Sequence, residues 1–297
     1  MIEVLKKLGN VLENVSLKNY NTYKIGGNTK YLVEPFDIDS LKKLIKYLKD
    51  NKIKYFILGN GSNVILDDLD FEGVIIKLSN LKRIDINNNE VYAEAGIMLP
   101  ILSRETINHN LQGLEWACAI PGTLGGSIVG NAGAYKECIF DYVTKVDVLD
   151  KECNVKTLDK NDITYSYRYT SFKDDKDLIV LGAYLSLNDG NKEELLEVVK
   201  RRMQKRMETQ PLDYPSAGSV FRNPENDFAG RIIEEDIKFK GKQVGGAKVS
   251  EKHANFIINY DNATSKDIKE LISLIKKNVK EKDHIELILE QEIINWE

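Results

Sequence analysis

From Asp39 onward, Leu41, Leu44, Ile45 and Leu48 recur at helical spacing while charged residues fill the other face, which predicts an amphipathic helix. The short run Tyr55-Phe56-Ile57-Leu58 is aromatic and branched and predicts a buried strand, ending at Gly59-Asn60-Gly61-Ser62-Asn63. Further strands are expected at Val74–Leu78, Val91–Ala95, Val143–Leu149 and Leu178–Leu187, with Asn87-Asn88-Asn89 as a turn. A helical pattern from Glu193 to Thr209 stops before Pro211, which cannot continue a helix, and this helix is the best candidate for a domain boundary. Beyond it come the loop Pro215–Pro224, a strand at Phe256–Asn259 and a helix from about Thr264, whose Ile268, Leu271, Ile272, Ile275 and Val279 form an apolar stripe. The last segment, Ile285–Trp296, is strand-like. The order of elements predicts an α+β protein with many strands rather than a strict βαβ alternation.

Composition narrows the class. The 297 residues are 42% apolar and 30% charged, ordinary values for a soluble globular chain of about two domains. A net charge of −4 supplies no bulk positive field for nucleic acid or an anionic membrane, so neither is expected as a partner. The cysteines Cys118, Cys138 and Cys153 form no CxxC pair and read as reduced thiols. Apolar runs such as Phe256-Ile257-Ile258 stop far short of the ~18 residues of a membrane span. Glu3, Lys6, Lys7 and Glu13 interrupt any signal-peptide core, and the expected location is the cytoplasm.

Two glycine-rich stretches could hold an anion. Gly59, Asn60, Gly61, Ser62 and Asn63 follow a strand directly, and glycines let backbone N–H groups converge on a phosphate. The Rossmann fingerprint fails here, because Val64 stands at the third glycine position and Val64-Ile65-Leu66-Asp67 favours an extended chain over a helix. A tight inter-strand turn explains this stretch equally well. The second stretch carries Pro121, Gly122, Thr123, Gly125, Gly126 and Ser127, and continues through Gly130 to Asn131, Ala132, Gly133 and Ala134. So many small residues allow a flat ligand to lie against the backbone, and five glycines cost entropy that a purely structural segment rarely tolerates. Two such stretches on a strand-rich chain suit a dinucleotide bound without a Rossmann fold.

The candidates for chemistry are less decisive one by one. Tyr165-Ser166-Tyr167-Arg168-Tyr169 sets a guanidinium among phenols, suited to a carboxylate or a developing oxyanion, or forms a plain surface strand. Pro215–Pro224 carries Ser216, Ser219, Arg222 and Asn223 in a constrained loop. No GxSxG surrounds Ser219, so a hydrolase triad is poorly supported; the serine could donate a proton, or the segment could be a plain turn. Alternation along the C-terminal segment places Glu286, Ile288, Glu290 and Glu292 on one face, without saying which glutamate does chemistry. His109, His253 and His284 lack metal-ligand spacing, so no metal is expected. Lys200, Arg201, Arg202, Lys205 and Arg206 form a basic run, read as a solvated face that could collect a substrate phosphate.

Taken in order, the segments Asn21–Gly27 (NTYKIGG), Leu58–Val64 (LGNGSNV), Ile120–Tyr135 (IPGTLGGSIVGNAGAY), Tyr165–Phe172 (YSYRYTSF), Ala217–Pro224 (AGSVFRNP) and Gly245–Asn259 (GGAKVSEKHANFIIN) resemble the UDP-N-acetylenolpyruvoylglucosamine reductase (MurB) family, across residues 20 to 293. The resemblance implies an FAD-binding domain of the vanillyl-alcohol-oxidase (PCMH) type in two α+β subdomains, over 1–78 and 79–205, with the C-terminal strand 285–297 returning to the first. A C-terminal α+β substrate-binding domain would follow over 206–297. It implies that NADPH reduces bound FAD, which passes hydride to UDP-GlcNAc-enolpyruvate and so yields UDP-N-acetylmuramate.

The same resemblance assigns both glycine stretches to FAD, and it places Arg168, Ser219 and Glu292 in catalysis, with Ser219 the proton donor. Tyr167, Arg222 and Asn223 fall to the substrate. A different FAD-dependent oxidoreductase of the same class, acting on an alcohol or sugar, is the alternative. Two positions depart from the family pattern: Ala119 replaces the usual Gly before Ile-Pro-Gly, and Lys136 replaces the usual Gly after Gly-Ala-Tyr. Only 51 positions separate Arg168 from Ser219, too few for the tyrosine-bearing lid loop of the longer family type. The chain thus resembles the shorter type, with a more open substrate channel, and a monomer is favoured.

Overall fold

The computed structural model describes residues 1–296. They form two compact units that interleave along the chain: Met1–Glu13, Tyr31–Asn60 and Gly73–Gln204 make one, and Asn14–Lys30, Gly61–Glu72 and Lys205 onward make the other.

In the first unit, five antiparallel strands lie in the order Val155–Asp159, Val143–Leu149, Ile179–Ser186, Glu90–Glu94, Ile84–Asn87. The Asn87–Asn89 turn closes the last pair, with Asn88 left-handed at φ 50° and Asn87 facing Glu90. A second sheet runs Gly9–Ser16, Asn28–Pro35, Phe71–Ile76, Tyr55–Ile57. Tyr55–Ile57 pairs parallel to Val74–Ile76 and is half-buried rather than fully buried; only Leu58 beyond it is sealed from solvent. Helix Ile38–Asp50 forms as its pattern predicts. Asp37 caps it by accepting from the Ser40 N–H at 2.7 Å, and Leu41, Leu44, Ile45 and Leu48 are buried. The long helix Lys192–Thr209 ends before Pro211, and the division between the units falls within it, at Gln204.

The second unit packs helix Ser265–Asp283 on an antiparallel sheet of Gln243–Val244, Ala247–Val249 and Ile257–Asn259. Thr264 and Asp267 form a reciprocal capping box, and Ile268, Leu271, Ile272, Ile275 and Val279 enter a core that includes Tyr23, Ile25, Phe221 and Leu287. The C-terminal segment corrects its strand-like reading. Only Glu292–Ile294 is a strand, paired parallel to Val64–Leu66, while Leu289 makes a single bridge to Phe221. Glu286 and Ile288 are exposed, whereas Glu290 and Glu292 are half-buried, so the four do not share one regular strand face.

Candidate active site

Gly59 and Asn60 of the first glycine stretch lie in the first unit with the second stretch. Asn60 donates from Nδ2 to the Pro121 carbonyl at 2.7 Å, and Lys77 donates from Nζ to the Gly59 carbonyl at 2.7 Å. Burial lowers the Lys77 amine below its ordinary range. Pro121, Gly122 and Thr123 lead into a helix over Leu124–Gly130, so the second stretch is not a loop throughout. Thr123 caps this helix by accepting from the Gly126 N–H, and Ser127 turns its hydroxyl back onto the Thr123 carbonyl. Two adjacent glycines here have different reasons. A methyl at Gly125 would fall 2.9 Å from Ala95 Cβ, a close approach that packing requires, whereas a methyl at exposed Gly126 would meet only Thr123 Oγ1 at 3.5 Å.

Asn131 ends the helix in a left-handed cap at φ 43°, buried, and donates from Nδ2 to the Ser166 carbonyl at 2.8 Å. Ala132 and Gly133 follow and lead into a small hairpin of Gly133–Ala134 with Glu137–Cys138. Tyr165–Thr170 is itself a hairpin, not the plain surface strand of the alternative reading. Ser166 pairs with Tyr169, and the two-residue turn is Tyr167 and Arg168. Arg168 sits left-handed at φ 59°, uncommon for a long side chain, and donates from Nη2 to the Gly133 carbonyl at 2.7 Å. Its guanidinium lies 5.7 Å from the ring of exposed Tyr167. The Thr170 hydroxyl donates to the Val129 carbonyl, so three side chains tie the Arg168 hairpin to the glycine-rich segment.

The basic helix is not uniformly solvated. Arg202 pairs with Glu137 at 3.1 Å and stacks 4.6 Å from the Tyr135 ring, which commits it within the first unit.

Ser219 lies in the second unit, half-buried, and among the described residues its hydroxyl makes no hydrogen bond. Gly218 before it adopts φ 76°, open to glycine without strain. The backbone after it is clamped by Asn255. The Asn255 carbonyl accepts from the Val220 N–H at 2.8 Å, its Oδ1 accepts from the Phe221 N–H at 3.0 Å, and its Nδ2 donates to the Phe221 carbonyl at 2.8 Å. The C-terminal segment runs alongside, Glu290 N–H donating to the Val220 carbonyl and Arg222 N–H to the Ile288 carbonyl. Arg222 Nε lies 3.3 Å from Glu290 Oε2, both side chains largely buried. Exposed Asn223 accepts through Oδ1 from the Ala229 N–H at 3.2 Å. Gly61, Ser62 and Asn63 also belong to this unit. Gly61 turns at φ 65°, its carbonyl accepts from the Thr22 N–H, and Asn63 leads into the strand that pairs with Glu292.

Comparison with known proteins bears on this arrangement. Residues 210–294 match the UDP-N-acetylenolpyruvoylglucosamine reductase C-terminal domain, and residues 29–159 match an FAD binding domain. A UDP-N-acetylenolpyruvoylglucosamine reductase of Caldanaerobacter subterraneus is 46% identical over 98% of this chain and 96% of its own. The chain belongs to the UDP-N-acetylenolpyruvoylglucosamine reductase family. The enzyme of that name from Carboxydothermus hydrogenoformans is 40% identical over 98% of this chain and 97% of its own. The crystal structure of the Thermus caldophilus enzyme superposes with a TM-score of 0.82 at 30% identity, covering 97% of this chain and 100% of that one. The reductase fold is therefore the α+β one expected, an FAD-binding domain followed by the family's C-terminal domain.

Within the reductase, the predicted residues fall into two groups. Gly59, Asn60, Pro121–Gly133, Tyr167 and Arg168 are in the first unit; Gly61–Asn63, Ser219, Arg222, Asn223 and Glu292 are in the second. Three residues with no assigned role hold these groups in place: Lys77, Asn255 and Gln291. Asn255 lies within the Gly245–Asn259 motif, which is its signal in the sequence; Lys77 and Gln291 have none. Among the described residues, no group of three or more His, Cys, Asp or Glu is placed to hold a metal ion, and no helix is long and apolar enough to cross a membrane.

Proposed function

We propose that this reductase catalyses NADPH-dependent, FAD-mediated reduction of UDP-N-acetylglucosamine enolpyruvate to UDP-N-acetylmuramate, a step of peptidoglycan precursor synthesis. The observation that carries the reading is Ser219, whose backbone is held from the Asn255 side while its hydroxyl stays uncommitted, in a chain of this family.

The residues present fit a flavin dinucleotide. Gly126 is exposed at the first turn of a helix with room above its backbone, and Asn60 is bonded to the Pro121 carbonyl that leads into that helix. Gly59, Asn60, Gly61, Ser62 and Asn63 with Pro121, Gly122, Thr123, Gly125, Gly126, Ser127, Asn131, Ala132 and Gly133 would hold it. When bound, FAD supplies two-electron chemistry, accepting hydride from NADPH and passing it to the terminal carbon of the enolpyruvyl alkene.

Addition there leaves negative charge that spreads onto the substrate carboxylate as an enolate. Arg168, preset in its turn by the Gly133 carbonyl, and Glu292, acting as a protonated acid or hydrogen-bond donor, stabilise that charge. Ser219 then delivers a proton to the carbon bearing the ether oxygen. Tyr167, Arg222 and Asn223 hold the substrate, with Asn223 offering its amide N–H because its oxygen is already engaged. The same reading assigns 1–78 and 79–205 to FAD, 206–297 to the substrate, and a monomer to the cytoplasm with small-molecule partners only.

An anaerobic absorption spectrum tests the reading. The flavin band should bleach with NADPH and return with UDP-GlcNAc-enolpyruvate. A band that bleaches but is not restored points to another oxidoreductase of this class; no band after reconstitution with FAD removes the assignment of the glycine stretches.

A further inference from the structure

Ser219 is clamped from its C-terminal side by Asn255, and a separate device holds the peptide units before it. Gln291 is buried, and its Nε2 donates to the Ala217 carbonyl at 3.1 Å and to the Gly218 carbonyl at 3.2 Å. Its Oε1 accepts from the Tyr23 hydroxyl at 3.0 Å. Only one orientation of the amide satisfies these partners, because two carbonyls can only accept and the phenol has one proton to give. Tyr23 is fully buried, and burial holds its phenol above the ordinary range, so it stays a donor at neutral pH.

The Gly218 carbonyl belongs to the peptide unit that includes the Ser219 nitrogen, so fixing that oxygen fixes the plane from which the serine side chain departs. On the far side, the Val220 N–H and carbonyl are taken by the Asn255 carbonyl and the Glu290 N–H. The serine is therefore oriented through both neighbouring peptide planes, with no bond to its own hydroxyl among the described residues.

We propose that Gln291 is a positioning residue for Ser219, its amide aimed by Tyr23 and holding the Ala217 and Gly218 carbonyls so that the hydroxyl points at the reacting carbon. The proposal rests on the reading of Ser219 as the proton donor.

The test uses the FAD-loaded full chain and the variants Gln291→Met, Tyr23→Phe and Ser219→Ala. Gln291→Met keeps side-chain length and removes the donor; Tyr23→Phe keeps Gln291 and removes its guide. Flavin bleaching by NADPH and re-oxidation by saturating UDP-GlcNAc-enolpyruvate are followed separately by stopped flow. Bleaching should stay within about twofold of the parent in all three, whereas re-oxidation should slow about 10- to 100-fold in Gln291→Met and several-fold in Tyr23→Phe, the size expected when a proton donor is displaced rather than lost. The solvent deuterium isotope effect on re-oxidation should rise in both, which general loosening would not produce. Amide exchange across residues 217–221 of the holoenzyme should quicken in Gln291→Met, and adding that change to Ser219→Ala should cost no further rate.

The outcomes separate the two ideas. If Ser219→Ala re-oxidises at the parental rate, the assignment of Ser219 fails. If Ser219→Ala is slow while Gln291→Met is parental, the positioning role alone is overturned. Should Gln291→Met fail to bind FAD, Tyr23→Phe decides: a parental re-oxidation rate and isotope effect there overturn the proposal.

Discussion

The backbone N–H of Glu292 donates to the carbonyl of Asn63 at 2.9 Å, and Asn63 reaches back from Nδ2 to the Glu290 carbonyl at 3.1 Å. The last residue of a glycine stretch is thereby tied to the first residue of the C-terminal strand, so a predicted cofactor contact and a predicted catalytic acid share one local frame. Because the Glu292 link runs through the backbone, Glu292→Gln keeps it. The protein should still fold and bind FAD, while re-oxidation by the enolpyruvyl substrate slows about 100-fold or more for loss of a charge-stabilising acid. Asn63→Ala should cost about 1 kcal/mol by removing the bond to Glu290. Stopped-flow rates and chemical denaturation check both, and an unchanged re-oxidation rate in Glu292→Gln would remove that residue from the chemistry.

Neighbouring glycines should respond in opposite ways. Gly125→Ala forces a methyl to 2.9 Å from Ala95 Cβ and should destabilise the protein without FAD by about 1–3 kcal/mol. Gly126→Ala meets only an ordinary contact and gains helix propensity, so the protein without FAD should be unchanged or stabilised by up to about 1 kcal/mol. Its FAD affinity should nevertheless fall, since the methyl occupies the room proposed for the cofactor. Melting without FAD and a flavin titration separate the two effects. An unaltered FAD affinity in Gly126→Ala would place the cofactor elsewhere.

Local signals carried much of this fold, and their limits are physical. Helices Ile38–Asp50 and Ser265–Asp283 were legible because apolar stripes and capping residues coincide at Asp37 and Thr264. The joining of Asn14–Lys30 and Gly61–Glu72 to the second unit has no local signature, since it depends on long-range packing. The turn at Arg168 was hidden for a different reason: a left-handed residue is usually announced by Gly or Asn, and an arginine flanked by tyrosines reads as strand. Alternation sets Gln291 opposite the glutamates, with Ile285, Leu287 and Leu289, but the partners of its amide, the Ala217 and Gly218 carbonyls, lie more than 70 positions away and leave no local signal. Glu290, on the same predicted face as Glu292, forms an ion pair with Arg222 that no pattern count reveals.

His253 gives a pH dependence. Its ring lies 4.8 Å from Phe256, and Nδ1 accepts from the Asn255 N–H at 3.2 Å, a bond that a protonated ring cannot make. Burial first, and Lys240 second, lower its pKa below the ordinary histidine value. The unfolded chain therefore binds the proton more readily than the folded one, so this contribution is complete above about pH 6.5 and is lost as pH falls through the folded value. The melting temperature should drop between pH 7.5 and 5.5, and less steeply in His253→Leu. Re-oxidation should weaken in parallel, because Asn255 holds Val220 and Phe221 beside Ser219. Equal pH slopes for the two proteins would show that His253 stays neutral or is not linked to folding.

The resemblance leads one to expect glycine where Lys136 stands, and the backbone conformation there is one that suits glycine. Ala134 pairs with Glu137, leaving Tyr135 and Lys136 as a two-residue turn with φ of 57° and 68°, both left-handed as in a type I′ turn. A side chain at the second of these positions costs about 1–2 kcal/mol relative to a right-handed conformation, partly offset because glycine is freer in the unfolded chain by about 0.5–1 kcal/mol. The Lys136 side chain is exposed and makes no ion pair among the described residues, so its removal forfeits no ion pair. Lys136→Gly should therefore stabilise the protein by up to about 1 kcal/mol, a rise in melting temperature of roughly 2 °C for a chain of this size. Calorimetry on parent and variant measures it. A fall in melting temperature would mean that the unfolded-state entropy of glycine outweighs the relief of the turn.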